Sequence, residues 1–267
     1  FQPAELAKLA LVIYLARSLA RKGEKVRSFS IGFLPHVIVT GFFVLLLLGQ
    51  PDFGSGMVLL SLLWLMLFCA GARLRWLVGA VFAAAPVVAV LVLSKSYRMA
   101  RLTAFMDPFA DRLGHGWQLA NSLITLGNGG LFGQGLGAGK QKLHYLPEGH
   151  TDFIVAVIGE EAGLLGILLV VGLFGLLVSR GIRAAFHASD PFGAFLALGL
   201  TALYGIQAVV NMSVAMGLLP TKGLTLPFVS YGGTSLVLSL TAAGFLLAIS
   251  GGSGGYLLPQ TSRTSRG

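Results

Sequence analysis

Apolar runs dominate the chain, and their lengths decide how it is first read. Seven of them, at about 4–19, 31–49, 57–72, 76–94, 153–179, 192–215 and 234–250, approach or exceed the ~17–25 residues a helix needs to cross ~30 Å of hydrocarbon. The period-two alternation of a barrel strand is absent, so each run is expected to be a helix whose backbone bonds close internally. The predicted fold class is therefore all-α: a polytopic membrane protein with seven transmembrane helices and one large loop. That loop, about 95–152, is polar but keeps Tyr97, Phe105, Phe109, Trp117, Phe132 and Tyr145. A long loop of this composition is expected to carry function rather than disorder.

Within the loop the pattern predicts two short helices. One covers 97–106, with Arg98 and Arg101 three apart on one face and Asp107-Pro108 ending it. The other covers 116–126 and is closed by Gly127 and Gly129. Residues 1–250 read as one transmembrane domain, and 251–267, rich in Gly, Ser and Thr, as a flexible cytoplasmic tail. The first residue is Phe, no signal peptide is visible and the first span begins at once. The chain thus reads as the later part of a longer membrane protein.

Composition sharpens the membrane assignment. Charged residues make up 11% of the chain, against roughly 25% in soluble domains, and the mean hydropathy is +0.82. The net charge of +9 would suggest nucleic acid in a soluble protein, but its distribution argues against such a partner. The short loops of one side hold Arg17, Arg21, Lys22, Lys25 and Arg27, then Arg73 and Arg75, then Arg180 and Arg183. Opposite them, 50–56 holds no cation and 216–232 only Lys222. Positive loops face the cytoplasm, so 95–152 is expected on the extracytoplasmic face. The lone Cys69 cannot form an internal disulfide and is expected as a small buried residue.

Candidate chemistry concentrates in the polar loop. Gly127–Lys140 looks like a phosphate loop at a glance, but Gln134 stands where a Walker A motif needs Gly and Gln141 where it needs Ser or Thr. No nucleotide is expected; the loop reads as a flexible turn whose N–H groups contact a ligand. Glu148, His150 and Asp152 crowd beside Lys140 and Lys142 just before the fifth span, a site candidate at a membrane face. Asp152 also fits the first helical turn, where the dipole favours a carboxylate, with Thr151 or His150 as the cap. Glu160 lies roughly 12 Å deeper, so it or Glu161 must face protein or a cavity; a structural role is favoured. Glu5 and Lys8 are expected to pair on the first helix, Asp52 to cap a turn, and Asn211 to bond between helices.

Taken together, Gln2-Pro-Ala-Glu-Leu-Ala-Lys8, Tyr97-Arg-Met-Ala-Arg101, Tyr145-Leu-Pro-Glu-Gly-His-Thr-Asp-Phe153, Gly159-Glu-Glu161, Leu219-Pro-Thr-Lys-Gly-Leu-Thr-Leu-Pro227 and Ser230-Tyr-Gly-Gly233 resemble the SEDS family (shape, elongation, division and sporulation). The wording of Thr221–Thr225 is closer to its cell-division branch than to the elongation branch. The resemblance implies a ten-helix fold, of which the seven spans here correspond to the last seven. It also implies a multi-pass protein of the cytoplasmic membrane, at the division septum, with its site on the extracytoplasmic face. The implied activity is a peptidoglycan glycosyltransferase that polymerises lipid II, the undecaprenyl-pyrophosphate-linked disaccharide peptide. The family's catalytic aspartate falls on Asp152, as general base for the acceptor 4-hydroxyl. The α-linked donor gives a β-1,4 product, so one inverting displacement suffices, and the leaving group is already a good anion. Arg98, Arg101 and Lys222 are expected at the pyrophosphate, directly or beside a divalent cation such as Mg or Mn. Lys142, Glu148, His150, Ser230 and Tyr231 complete the expected substrate contacts. Implied partners are a class B penicillin-binding protein transpeptidase and other divisome membrane proteins.

Two readings from other classes compete: a transporter that flips lipid II, and a scaffold that recruits a transpeptidase without chemistry. Intramembrane Glu160 and broken outer loops suit the first, although no inverted repeat is visible. The second predicts that changing Asp152 leaves assembly and cell function intact. An elongation role is the alternative within the family.

Overall fold

The computed structural model describes residues 2–93, 96–111, 114, 116–139, 151–221 and 223–252. Every regular element among them is helical: α1 (Pro3–Lys22), α2 (Leu34–Gly49), α3 (Phe53–Cys69), α4 (Leu74–Leu93), α5 (Ser96–Met106), α6 (Trp117–Gly129), α7 (Ile154–Phe186), α8 (Pro191–Ala215) and α9 (Gly233–Gly252). Four helical stretches, Phe29–Gly49, Ile154–Phe186, Pro191–Ala215 and Gly233–Gly252, are long and apolar enough to cross a membrane. The chain is an all-α polytopic membrane protein. Phe53–Cys69 and Leu74–Val90 are apolar but shorter, and α1 carries Glu5 and Lys8 at one end with Arg21 and Lys22 at the other.

The helix starts follow local chemistry. Pro3 and Pro191 occupy first turns, where a missing N–H costs nothing. Asp190 caps α8 by accepting from the N–H groups of Phe192 and Gly193, and Asp52 caps α3 through Ser55 N–H at 2.9 Å. α2 is entered through a π turn over Phe29–Phe33, and the buried His36 ties it to α1 through Ser18 Oγ at 2.9 Å. Cys69 proves exposed rather than buried. It is the last residue of α3, beyond Met66 and Leu67, the final buried positions of that helix, so the packing that covers the helix stops short of it.

Helix α8 is the central post. It packs against α1, α3, α6, α7 and α9, and its buried face runs from Leu196 to Ala215. One core joins it to Leu11, Leu15 and Leu19 of α1 and Leu59, Leu62 and Met66 of α3. A second core lies at the other end of α8, where Ala208, Met212 and Val214 meet Phe153, Val155, Ala156 and Leu226. This second core forms the floor beneath Asp152.

The two predicted loop helices are present as α5 and α6. Helix α6 is anchored deeply: Leu119, Ala120, Asn121, Ser122 and Thr125 are buried, and Ser122 Oγ donates to the Ala215 carbonyl at 2.7 Å. It runs on to Gly129, past the expected close at Gly127, because Gly130 at φ +56° supplies the reversal. Helix α9 likewise continues through Gly252, so the first residues assigned to the tail are helical.

The long helix α7 is broken at Gly163 (φ 66°, ψ −161°), a conformation essentially restricted to glycine. The chain after α6 fills the break. Gln134 N–H donates to the Glu160 carbonyl at 2.9 Å and Gly135 N–H to that of Glu161 at 3.1 Å. In return Leu164 N–H donates to the Gly130 carbonyl at 3.0 Å and Leu165 N–H to that of Leu131 at 3.3 Å. A Cβ on Gly163 would lie 2.4 Å from Gly133 N, and one on Gly129 would lie 1.8 Å from the Gly159 carbonyl oxygen. Glycine is required on both sides of this crossing.

Candidate active site at the start of α7

Asp152 stands just outside helix α7. The helix begins at Ile154, and its cap residue is Phe153, whose side chain makes no capping bond. The expected cap at Thr151 or His150, with Asp152 in the first turn, is therefore displaced to Phe153, two or three residues further on. The reason is the burial of Phe153, 2% exposed, which anchors the turn in the second core. Asp152 is left half-buried at the rim.

Two side chains from distant parts of the chain hold this turn. Asn211 Nδ2, on α8, donates to the Asp152 carbonyl at 3.0 Å and to the Leu224 carbonyl at 2.6 Å. Ser230 Oγ donates to the Thr151 carbonyl at 2.5 Å and accepts from Leu226 N–H at 2.8 Å. Behind the carboxylate lies Gly223, where an added Cβ would meet Asp152 Oδ2 at 3.4 Å. The backbone on either side of Asp152 is thus pinned to α8 and to the last loop, which fixes the direction of its side chain.

The carboxylate borders a cavity of about 480 Å³ whose walls also include Glu5, Asp52, Thr151, Thr225 and Tyr231. Glu5 is held by the fully buried Lys8 at 2.6 Å, as expected of that pair. Asp52 both caps α3 and faces the cavity. Thr225 Oγ1 and Ser235 Oγ, 2.9 Å apart, join the last loop to the start of α9. Three carboxylates therefore face one space, yet no three His, Cys, Asp or Glu side chains among the described residues are grouped to hold a metal ion.

The other expected site residues divide clearly. Tyr231 is 81% exposed and lines this cavity and the neighbouring one of about 610 Å³. The Ser230 hydroxyl is engaged in the clamp. Arg101 Nη1 donates to the Thr221 carbonyl at 3.1 Å, which ties α5 to the last loop, and Arg98 sits three residues earlier on the same helix. Lys142, Glu148, His150 and Lys222 lie outside the described residues. The glycine-rich loop is the main correction. The N–H groups of Gln134 and Gly135, expected to meet a ligand, instead complete α7 at its break. Glu160 is 1% exposed, and its Oε2 would lie 2.8 Å from a Cβ on Gly139. The contributions of Glu5, Asn211 and Gly223 to the site were missed. Glu5 offered a signal as part of the Gln2–Lys8 motif, but Asn211 and Gly223 act only through tertiary contacts.

A helical membrane fold with an aspartate fixed at the mouth of a polar cavity defines the class of protein, and the comparisons define its family. Residues 1–253 match the family described as cell cycle protein, FTSW_RODA_SPOVE. The chain belongs to this family, as its motifs suggested. It is 51% identical over 265 residues to a protein of Trichlorobacter lovleyi and 50% identical over 250 residues to one of Geobacter sp. (strain M18). Both relatives are named "Probable peptidoglycan glycosyltransferase FtsW". The alignments cover 99% and 94% of this chain but 69% and 68% of those relatives, so the chain spans about two thirds of their length. Among solved structures it is similar to a chain of a peptidoglycan synthase complex that coordinates polymerization and crosslinking. That match has a TM-score of 0.77 at 32% identity and covers 95% of this chain and 70% of that one.

Proposed function

We propose that this chain is the catalytic membrane region of a peptidoglycan glycosyltransferase that polymerises lipid II for septal wall synthesis, with Asp152 as general base. The observation that carries the reading is the fixed direction of Asp152 into a polar cavity, clamped by Asn211 and Ser230. A base must hold its carboxylate within hydrogen-bond reach of the acceptor hydroxyl, and a backbone pinned on both sides provides that constancy. The acceptor 4-hydroxyl gives its proton to Asp152 as its oxygen bonds to the donor anomeric carbon. The bond to undecaprenyl pyrophosphate breaks on the opposite face, inverting α to β-1,4. Arg98, Arg101 and Lys222 are assigned to the pyrophosphate, supported by the tie of Arg101 to the Thr221 carbonyl in the last loop, with Lys142, Glu148, His150 and Tyr231 as further substrate contacts. A magnesium or manganese ion at the pyrophosphate would supply charge stabilisation to the leaving group, although the carboxylates of Glu5, Asp52 and Asp152 are not grouped to hold such an ion.

In this reading α1, α3 and α4 join the four long apolar helices to give seven crossings within one domain, 1–250. The basic loops face the cytoplasm and 95–152 faces outward. The names of the relatives support the chemistry and the division role. The synthase complex supports a class B penicillin-binding protein as partner, beside other divisome proteins in the cytoplasmic membrane. The test is polymerisation of labelled lipid II by the full-length protein with its transpeptidase, comparing Asp152 with Asp152→Asn. Loss of polymer from a folded, assembled complex is expected. Normal polymer would place the base elsewhere and favour the flippase or scaffold reading.

A further inference from the structure

At the end of α7 remote from Asp152 lies another cavity, of about 650 Å³, between α7, α8 and α9. Its rim carries Arg180, Arg183 and His187, spaced i, i+3, i+7 and so on one face of α7. His187 Nδ1–H donates to the Arg183 carbonyl at 2.8 Å, which ties the imidazole to the last turn of α7. Among the described residues, none of those lining this cavity is a carboxylate. Its walls are apolar, formed by Leu177, Ala184, Leu246 and Leu247 among others. At its base Tyr204 commits its hydroxyl to the Ser239 carbonyl at 2.6 Å.

A further cavity, almost wholly apolar and of about 200 Å³, lies toward the middle of α7 and shares Leu177 with the first. It is lined by Val170, Leu173 and Phe174 and bounded also by Pro227, Phe228 and Val229 of the last loop. Leu173, Leu176 and Leu247 are more than half exposed, so the groove opens sideways, where a bilayer would lie. A cationic rim above an apolar groove matches a molecule with an anionic head and a hydrocarbon tail. Arginine pairs offer bidentate bonds to phosphate, and basic pockets between helix ends suit anionic lipid headgroups.

We propose that this groove is a binding site for an anionic glycerophospholipid of the leaflet facing the basic loops. Its phosphate lies at Arg180, Arg183 and His187, and one acyl chain runs along Leu177 and Leu247. The site is separate from the Asp152 cavity, and the proposal does not depend on the glycosyltransferase reading.

The test is native mass spectrometry of the delipidated full-length protein titrated with dioleoyl phosphatidylglycerol or dioleoyl phosphatidylcholine. Preferential retention of phosphatidylglycerol is expected. Arg180→Gln/Arg183→Gln should weaken it roughly twenty-five-fold, about fivefold for each guanidinium. Both arginines are exposed, so the fold should survive their exchange. Arg73→Gln/Arg75→Gln, at the start of α4 on the same side, should leave retention unchanged. Ala243→Phe, which fills the groove without removing charge, should lower it. Equal retention of the two lipids would overturn the proposal. So would an equal loss from the Arg73/Arg75 variant, which would indicate diffuse surface attraction.

Discussion

Replacing Asn211 with leucine tests whether the Asp152 turn is held in the way described. The two side chains are similar in size, but leucine cannot donate to the carbonyls of Asp152 and Leu224, now bonded at 3.0 and 2.6 Å. Orphaning a buried acceptor costs about 1–3 kcal/mol, so two of them give about 2–6 kcal/mol. The substitution also removes Asn211 Oδ1, which is buried and has no hydrogen-bond partner among the described residues, and this offsets about 1–3 kcal/mol. The net loss is therefore about 1–3 kcal/mol of stability, with Asp152 freed to shift. A displacement of about 1 Å at a reacting group can cost on the order of a hundredfold in rate. The assays are thermal unfolding in detergent and lipid II polymerisation well below the variant's melting temperature. The expected result is a modest loss of stability with a tenfold or greater loss of rate. Polymerisation at the parental rate by folded Asn211→Leu would refute the claim that this clamp positions Asp152.

Two further substitutions probe the scaffold. Gly163→Ala should destabilise by about 2–6 kcal/mol, combining backbone strain of about 1–3 with overpacking of about 1–3 kcal/mol. It should show as a lowered melting temperature and faster proteolysis within 127–139; unchanged values would mean that the break is not tightly filled. Lys8→Met leaves the Glu5 carboxylate in the cavity wall without its partner and should cost about 3 kcal/mol, the lower end for a buried pair. Lys8→Met/Glu5→Gln should recover most of that loss in the same melting assay, and a double variant no more stable than the single would contradict the pairing.

What could be read from the sequence was what depends on neighbouring residues. Apolar runs gave the long spans, Pro3 and Pro191 gave helix starts, and Arg98 with Arg101 marked α5. Asp152 stood out by its position between a polar loop and a long apolar run. What escaped depends on contacts across the chain. Asn211 reaches Asp152 over 59 positions, Ser230 reaches Thr151 over 79 and Arg101 reaches Thr221 over 120. No local pattern encodes such pairings. The loop after α6 was misread for a related reason. Closely spaced glycines signal that a backbone must approach something, and the sequence could not say whether a ligand or another helix. Here it is α7, whose own N–H and C=O groups at Gly163 would otherwise lack partners.

That filled break bears on how the protein can be labelled. Residues 130–135 look like an inviting place for an epitope or a reporter cysteine, being glycine-rich and free of secondary structure for most of their length. An insertion there would pull four hydrogen bonds out of α7 and disturb the helix that leads to Asp152, so a silent or inactive tagged protein would say little about topology. The exposed turn at 109–110, between α5 and α6, is the safer place for a tag.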